Sequence, residues 1–131
     1  MAILPVTLAA AAAAAILNLW LSVRVGAVRR ALGISVGDGG SDALQRRMRA
    51  QLNYVENTAF VLILIAAIEL SGKGQPWLAY VAALYFLGRV MHGFGMDGGN
   101  FGWGRTVGTL LTLLIQLGLA IAAALIAGRI L

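Results

Sequence analysis

The sequence predicts an all-α integral membrane protein, a bundle of four helices. Three observations lead there. The 131 residues are 60% hydrophobic and only 11% charged, against roughly a quarter charged in an average soluble domain. The apolar residues are clustered: residues 1–23 carry no charged side chain, and a membrane span needs only about 20 apolar residues. The clusters alternate with short stretches rich in glycine or arginine, which suits helices joined by tight loops. The length leaves room for a single domain, residues 1–131. A cleaved signal peptide is the competing reading of the N-terminal run LAAAAAAAIL. No basic residue precedes that run, and the apolar stretch is too long for a signal core.

The first helix is expected over residues 3–31, with Asn18 interrupting its apolar part and Arg24, Arg29 and Arg30 closing it. Its alanine-rich surface lets helix backbones approach closely. GISVGDGGSD, residues 33–42, must end it, and Ser41 or Asp42 stands where an N-cap would start a second helix over 43–70. SGKGQP, residues 71–76, is a break. Pro76 suits the first turn of a third helix over 76–94, where Trp77 and Tyr80 fall at the lipid interface. The glycine-rich GMDGGNFGWG, residues 95–104, cannot continue a helix. A fourth helix is expected over 105–130, with Arg129 free to snorkel. Glu69, beside the SGKG turn, is expected among the headgroups.

The net charge is +5, but the basic residues sit in loops, where they set orientation rather than bind nucleic acid. The loops after the first and third helices hold most of them, and the other side has only Lys73 and Arg129. Those Arg-rich loops should be cytoplasmic, with both termini on the opposite side of a bacterial inner membrane. With no cysteine there is no disulfide and no thiolate of the protein's own. A lone histidine makes a histidine metal site a poor expectation.

In RRMRAQLNYVEN, Arg46, Arg49, Asn53 and Glu56 recur at steps of three, four and three, which lines them up on one helix face. Arg89 and His92 sit three apart at the same end of the third helix, and Arg105 and Thr106 open the fourth. Three helices therefore place polar groups in one layer. Arginine's planar fork reads carboxylates bidentately, so this layer suits a zwitterionic ligand with carboxylates and an amine. The plainer reading makes Arg29, Arg30, Arg46 and Arg47 interfacial anchors meeting lipid phosphate. It does not suit Asn53 and Glu56, which lie deeper, where ionisable groups mark function. Thr109, Thr112 and Gln116 continue a stripe from Arg105 that serves equally as helix–helix contact or as site. Gly104 and Gly108 make a GxxxG spacing, which permits close helix contact but recurs by chance in a glycine-rich chain.

RMRAQLNYVEN also resembles the second helix of the MAPEG family, the membrane-associated proteins of eicosanoid and glutathione metabolism. The match lies in Arg49, Ala50, Gln51, Asn53 and Glu56. GRVMHGFG resembles the end of the third helix in the prostaglandin synthase branch, and GRTVGTLLT the opening of the fourth. The resemblance covers essentially the whole chain. It implies a homotrimer of four-helix subunits with glutathione as co-substrate, bound between neighbours near the cytoplasmic face. By position, Arg49, Asn53 and Glu56 would hold glutathione's charged ends and amine. Arg89 and His92 would contribute from the third helix, Arg105 would act catalytically beside the sulfur, and Thr106 would stand next to it. Arg24 or Arg29 would be the first-helix contact. Tyrosines that often face the ligand in the family are replaced here by Met96 and Asn57.

The implied function is a glutathione-dependent transferase or peroxidase acting on hydrophobic electrophiles dissolved in the lipid. A small multidrug-type transporter is one alternative, but it expects a carboxylate in the first helix, where this chain has none. A glutathione-binding subunit without turnover is the other, kept open by the missing tyrosines.

Overall fold

The computed structural model describes residues 3–74 and 76–131; Gln75, within the expected break after the second helix, lies outside them. Four helices follow in order: α1 (Pro5–Leu32), α2 (Asp42–Leu70), α3 (Trp77–Gly95) and α4 (Trp103–Ala127). Pro5 occupies the first turn of α1, where its missing N–H costs nothing. Gly33 ends α1 in the left-handed region at φ 66°, returning its N–H to the carbonyls of Arg29 and Arg30. Ser41 is the cap of α2, its hydroxyl accepting from Leu44 N–H at 3.3 Å. The fourth helix begins at Trp103 and ends at Ala127, earlier at both ends than the sequence pattern implies.

α3 lies along α4 and α1 along α2; α2 also meets α3 and α4, and α1 meets α3. Among the described residues α1 and α4 do not meet. The cross-section is therefore a rhomb, with α2 and α3 across its short diagonal. Ala10, Ala14, Leu21 and Val25 give α1 its inner stripe. Gly108, Thr112, Ile115 and Leu119 do the same for α4, at spacings of three and four that keep one face inward.

The core is divided along its length. Its apolar part joins Ala10 and Ala14 of α1, Val61, Ile65 and Ile68 of α2, Leu78, Ala82, Tyr85 and Phe86 of α3, and Ile115 and Leu119 of α4. All of these lie toward the α2–α3 turn, and the polar layer occupies the other end. Between the two, several polar side chains are paired across helices, as burial favours. Tyr54 donates to the Ala14 carbonyl at 2.6 Å, and the hydroxyls of Thr58 and Tyr85 pair at 2.9 Å. Gln51 donates to Ser22 at 2.7 Å and to Asn18 at 3.3 Å, which accounts for the amide that interrupts the apolar run of α1.

Glu69, expected among the headgroups, is buried against the start of α1. It is 7% exposed, and its two carboxylate oxygens accept the backbone N–H groups of Val6 and Thr7 at 2.9 and 2.7 Å. A helix start has orphan N–H groups and a partial positive charge. The first turn of α1 holds no acidic residue, so α2 supplies one.

α1, α2 and α4 are long and apolar enough to cross a membrane. α3 is not among them by that measure, its 19 residues including Arg89 and His92. At about 1.5 Å per residue it is nonetheless about 28 Å long, close to the hydrocarbon thickness. Large apolar side chains such as Leu19, Phe60, Leu87 and Leu117 are more than half exposed on the outside of the bundle, as expected where lipid is the solvent.

Candidate active site

At the arginine-rich end, three helices and one loop enclose a cavity of about 330 Å³. α2 contributes Arg49 and Asn53, one turn apart. His92 comes from α3, and Met96 follows directly after it. α4 contributes Arg105, Thr106, Thr109 and Leu110 from its first two turns, and Phe101 closes the cavity from the α3–α4 loop. Among the described residues no carboxylate lines it. The Arg105 guanidinium carbon lies 4.4 Å from the centre of the Phe101 ring, a cation–π contact between two lining residues.

The close approach of α3 and α4 depends on glycine. A Cβ on Gly108 would sit 2.6 Å from the Gly88 carbonyl and 2.6 Å from the His92 Cβ, and one on Gly95 would run into the backbone at Arg105. Gly104 would bring a Cβ to 3.2 Å from the Met91 carbonyl. The Gly104–Gly108 spacing is thus a real helix contact, and it sets how far Arg105 stands from His92.

Behind the cavity wall lies Arg89, 2% exposed. It donates to Thr112 Oγ1 at 2.9 Å and to Asn53 Oδ1 at 2.8 Å, and its Nη2 lies 3.4 Å from His92 Nδ1. The Tyr54 ring lies 5.8 Å from the guanidinium carbon. Among the described residues no carboxylate pairs with Arg89. The Thr109–Thr112–Gln116 stripe divides accordingly: Thr109 faces the cavity, and Thr112 serves Arg89 while donating to the Gly108 carbonyl at 2.9 Å.

Of the residues singled out from sequence, the structure brings Arg49, Asn53, His92, Arg105 and Thr106 to one cavity. It does not bring Arg24, Arg29, Arg89 or Glu56 there. Arg24 pairs with Asp97, donates to the Gly93 carbonyl at 2.9 Å, and lies over the rings of Trp20 and Phe94 at 4.7 and 4.9 Å. Arg29 holds the α1–α2 loop, donating to the Gly37 carbonyl at 2.7 Å, and lines a second cavity that Arg49 also borders. Glu56 is exposed on α2, about one turn along from Asn53, and does not line the cavity. Asn57 turns to the Asn53 carbonyl at 2.8 Å, so Met96 alone of the two tyrosine replacements faces the cavity.

Asp97 was not legible as functional. It takes Arg24 on one oxygen and Arg47 on the other, at 2.8 Å, and so ties α1 and α2 to the loop bearing Met96 and Phe101. The available signal was its place: a carboxylate in a glycine-rich loop, at the same end as the arginines of two other helices.

The sequence profile of the MAPEG family matches residues 7–125. The chain is also 30% identical over 93 residues to inner membrane protein YecN of Escherichia coli K12, a stretch covering 70% of each chain. The YecN of Escherichia coli O6:H1 matches to the same extent. Apolar helices long enough to cross a bilayer and a match over nearly the whole chain agree: this is an integral membrane protein, and it belongs to the MAPEG family.

Proposed function

We propose that the protein is a glutathione-dependent membrane transferase or peroxidase, and that the cavity between α2, α3 and α4 is its glutathione site. The observation that carries this is the composition of the cavity wall: two guanidinium groups, an amide, an imidazole and two threonines, with no carboxylate among the described residues. Glutathione has two carboxylates and a sulfur to be held as an anion. Arginine forks bind the first bidentately, and a nearby cation favours the second.

The roles divide by position. Arg49 and Asn53 hold a carboxylate end from α2. Arg105, over the Phe101 ring, stands beside the sulfur, with Thr106 next to it. A free thiol has a pKa of about 8.5, and each unit of lowering is worth about 1.4 kcal/mol between its two protonation states. When bound, glutathione supplies the thiolate nucleophile that the cysteine-free chain lacks. Hydrophobic electrophiles reach it from the lipid beside the exposed faces of the helices.

The same reading takes the protein as a homotrimer whose α3 also crosses the bilayer, in a bacterial inner membrane with the arginine-rich loops cytoplasmic. In that assembly Glu56 and Arg29, which stand outside the cavity of their own chain, meet the ligand's amine and carboxylate across the subunit boundary. Met96, in place of a phenol, favours a second reading, a subunit that binds glutathione without turnover. Titration calorimetry of the detergent-solubilised protein with glutathione, followed by a conjugation assay with a generic aryl halide, separates the two. Absence of heat at millimolar glutathione rejects both, and binding without conjugation leaves the second.

A further inference from the structure

We infer that Arg89 is a positioning residue, which fixes His92 as its Nε2–H tautomer and Asn53 with its amide N–H₂ toward the ligand. A guanidinium has five N–H donors and no acceptor. Any side-chain atom it touches must therefore accept. Arg89 Nη2 meets Asn53 at 2.8 Å and His92 Nδ1 at 3.4 Å. The Asn53 atom is then its oxygen, and His92 Nδ1 holds a lone pair. A proton on Nδ1, in the neutral ring or the charged one, would set two donors against each other in a buried place.

Arg89 is held in turn. Thr112 Oγ1 accepts from its other terminal nitrogen at 2.9 Å, and that hydroxyl spends its own proton on the Gly108 carbonyl. The guanidinium is anchored from α4, acts on α2 and on its own helix, and reaches no ligand itself. What it leaves facing the cavity is the other half of each group. Among the described residues, Asn53 Nδ2 and His92 Nε2 have no protein partner, and both residues line the cavity. Two groups that can accept as well as donate are thereby turned into donors. With Arg49 and Arg105 they make a wall that offers N–H groups from α2, α3 and α4, so the site takes an anion and His92 is a hydrogen-bond donor rather than a general base.

The tautomer stands on geometry alone; its use in holding glutathione rests on the function proposed above. His92 is the only histidine in the chain, so [¹⁵N]histidine labelling gives one imidazole with no assignment to make. Expected at neutral pH, in the ligand-free solubilised protein, is a single species protonated on Nε2 and bare on Nδ1. Protonated Nδ1, an imidazolium or an even mixture of tautomers overturns the inference. Arg89→Gln, whose amide can accept as well as donate, should convert the spectrum to a mixture, and an unchanged tautomer in a folded Arg89→Gln would show that Arg89 is not the cause. Should that variant not fold, Asn53→Asp decides. It keeps the acceptor for Arg89 and replaces the N–H₂ by a second oxygen. The His92 tautomer should persist while glutathione affinity falls roughly tenfold or more; unaltered affinity overturns the donor role of Asn53. If the wild type binds no glutathione yet shows the Nε2–H species, the proposed function fails and the tautomer stands.

Discussion

Arg24 of α1 and Asp97 of the α3–α4 loop form an ion pair across 73 residues of chain, and Arg47 of α2 shares the same carboxylate. The pair is half sheltered, with side-chain exposures of 10% and 33%. Its effect on the site is indirect. Asp97 follows Met96 and precedes Phe101, both cavity residues, so the loop that closes the cavity is held from two other helices.

Asp97→Ala should therefore loosen that loop and leave two arginines facing each other. The expected loss is about 1–2 kcal/mol, between the values for exposed and buried pairs. Faster hydrogen exchange confined to residues 96–102, with weaker glutathione binding, is the check. Unchanged exchange there would mean the loop is held by other contacts.

Glu69→Ala should lower the thermal midpoint by removing the cap of α1, at about 1–2 kcal/mol. Glu69→Gln should cost less, because one oxygen still accepts. Circular dichroism melts in detergent measure both, and the site lies at the opposite end, so glutathione affinity should be the same in each.

Gly108→Ala should be severe for so small a change. The new methyl meets the Gly88 carbonyl and the His92 Cβ, both at 2.6 Å, and overpacking of this kind costs about 1–3 kcal/mol. If α3 and α4 part to admit it, His92 and Arg105 separate and glutathione binding falls with stability. Full binding in a stable variant would show that their spacing is not critical.

Arg105→Ala and Arg49→Ala should fail differently. The first should abolish the thiolate absorbance of bound glutathione while changing affinity little. Arg49→Ala should weaken affinity roughly tenfold, the worth of one charge-assisted hydrogen bond, and leave the thiolate that does bind. Stopped-flow absorbance and calorimetry on the same samples separate them; identical profiles would refute the division of roles.

Met96→Tyr should raise thiolate formation, since Met96 lines the cavity and a phenol there adds a donor beside the sulfur. Asn57→Tyr should not, because Asn57 is turned to the Asn53 carbonyl. A rate increase in the second variant but not the first would reverse that placement.

The helical order and much of the polar layer could be read from the sequence, because both rest on local periodicity. Arg49 and Asn53 share a face by spacing alone, and Ser41 announces itself as a cap. What escaped depends on partners far along the chain. Glu69 reads as a headgroup residue until Val6 and Thr7, more than 60 residues away, present their orphan N–H groups. Arg24 reads as a ligand contact until Asp97 claims it. Glu56 shares the spacing of Arg49 and Asn53, but a helical wheel carries no information about which residues of a face line the cavity of a single chain. Gly104 and Gly108 were visible as a pattern, but only the facing backbone of α3 distinguishes such a pattern from chance.

Glycines at the α3–α4 crossing also decide where this molecule can be altered. Main chain approaches main chain at Gly95, Gly104 and Gly108, so the distance between the two helices is a fixed caliper. Tailoring which molecules enter falls instead to Met96, Phe101, Thr109 and Leu110, which line the cavity. A repertoire of variants at those four positions could change what is admitted while the jaws keep their width.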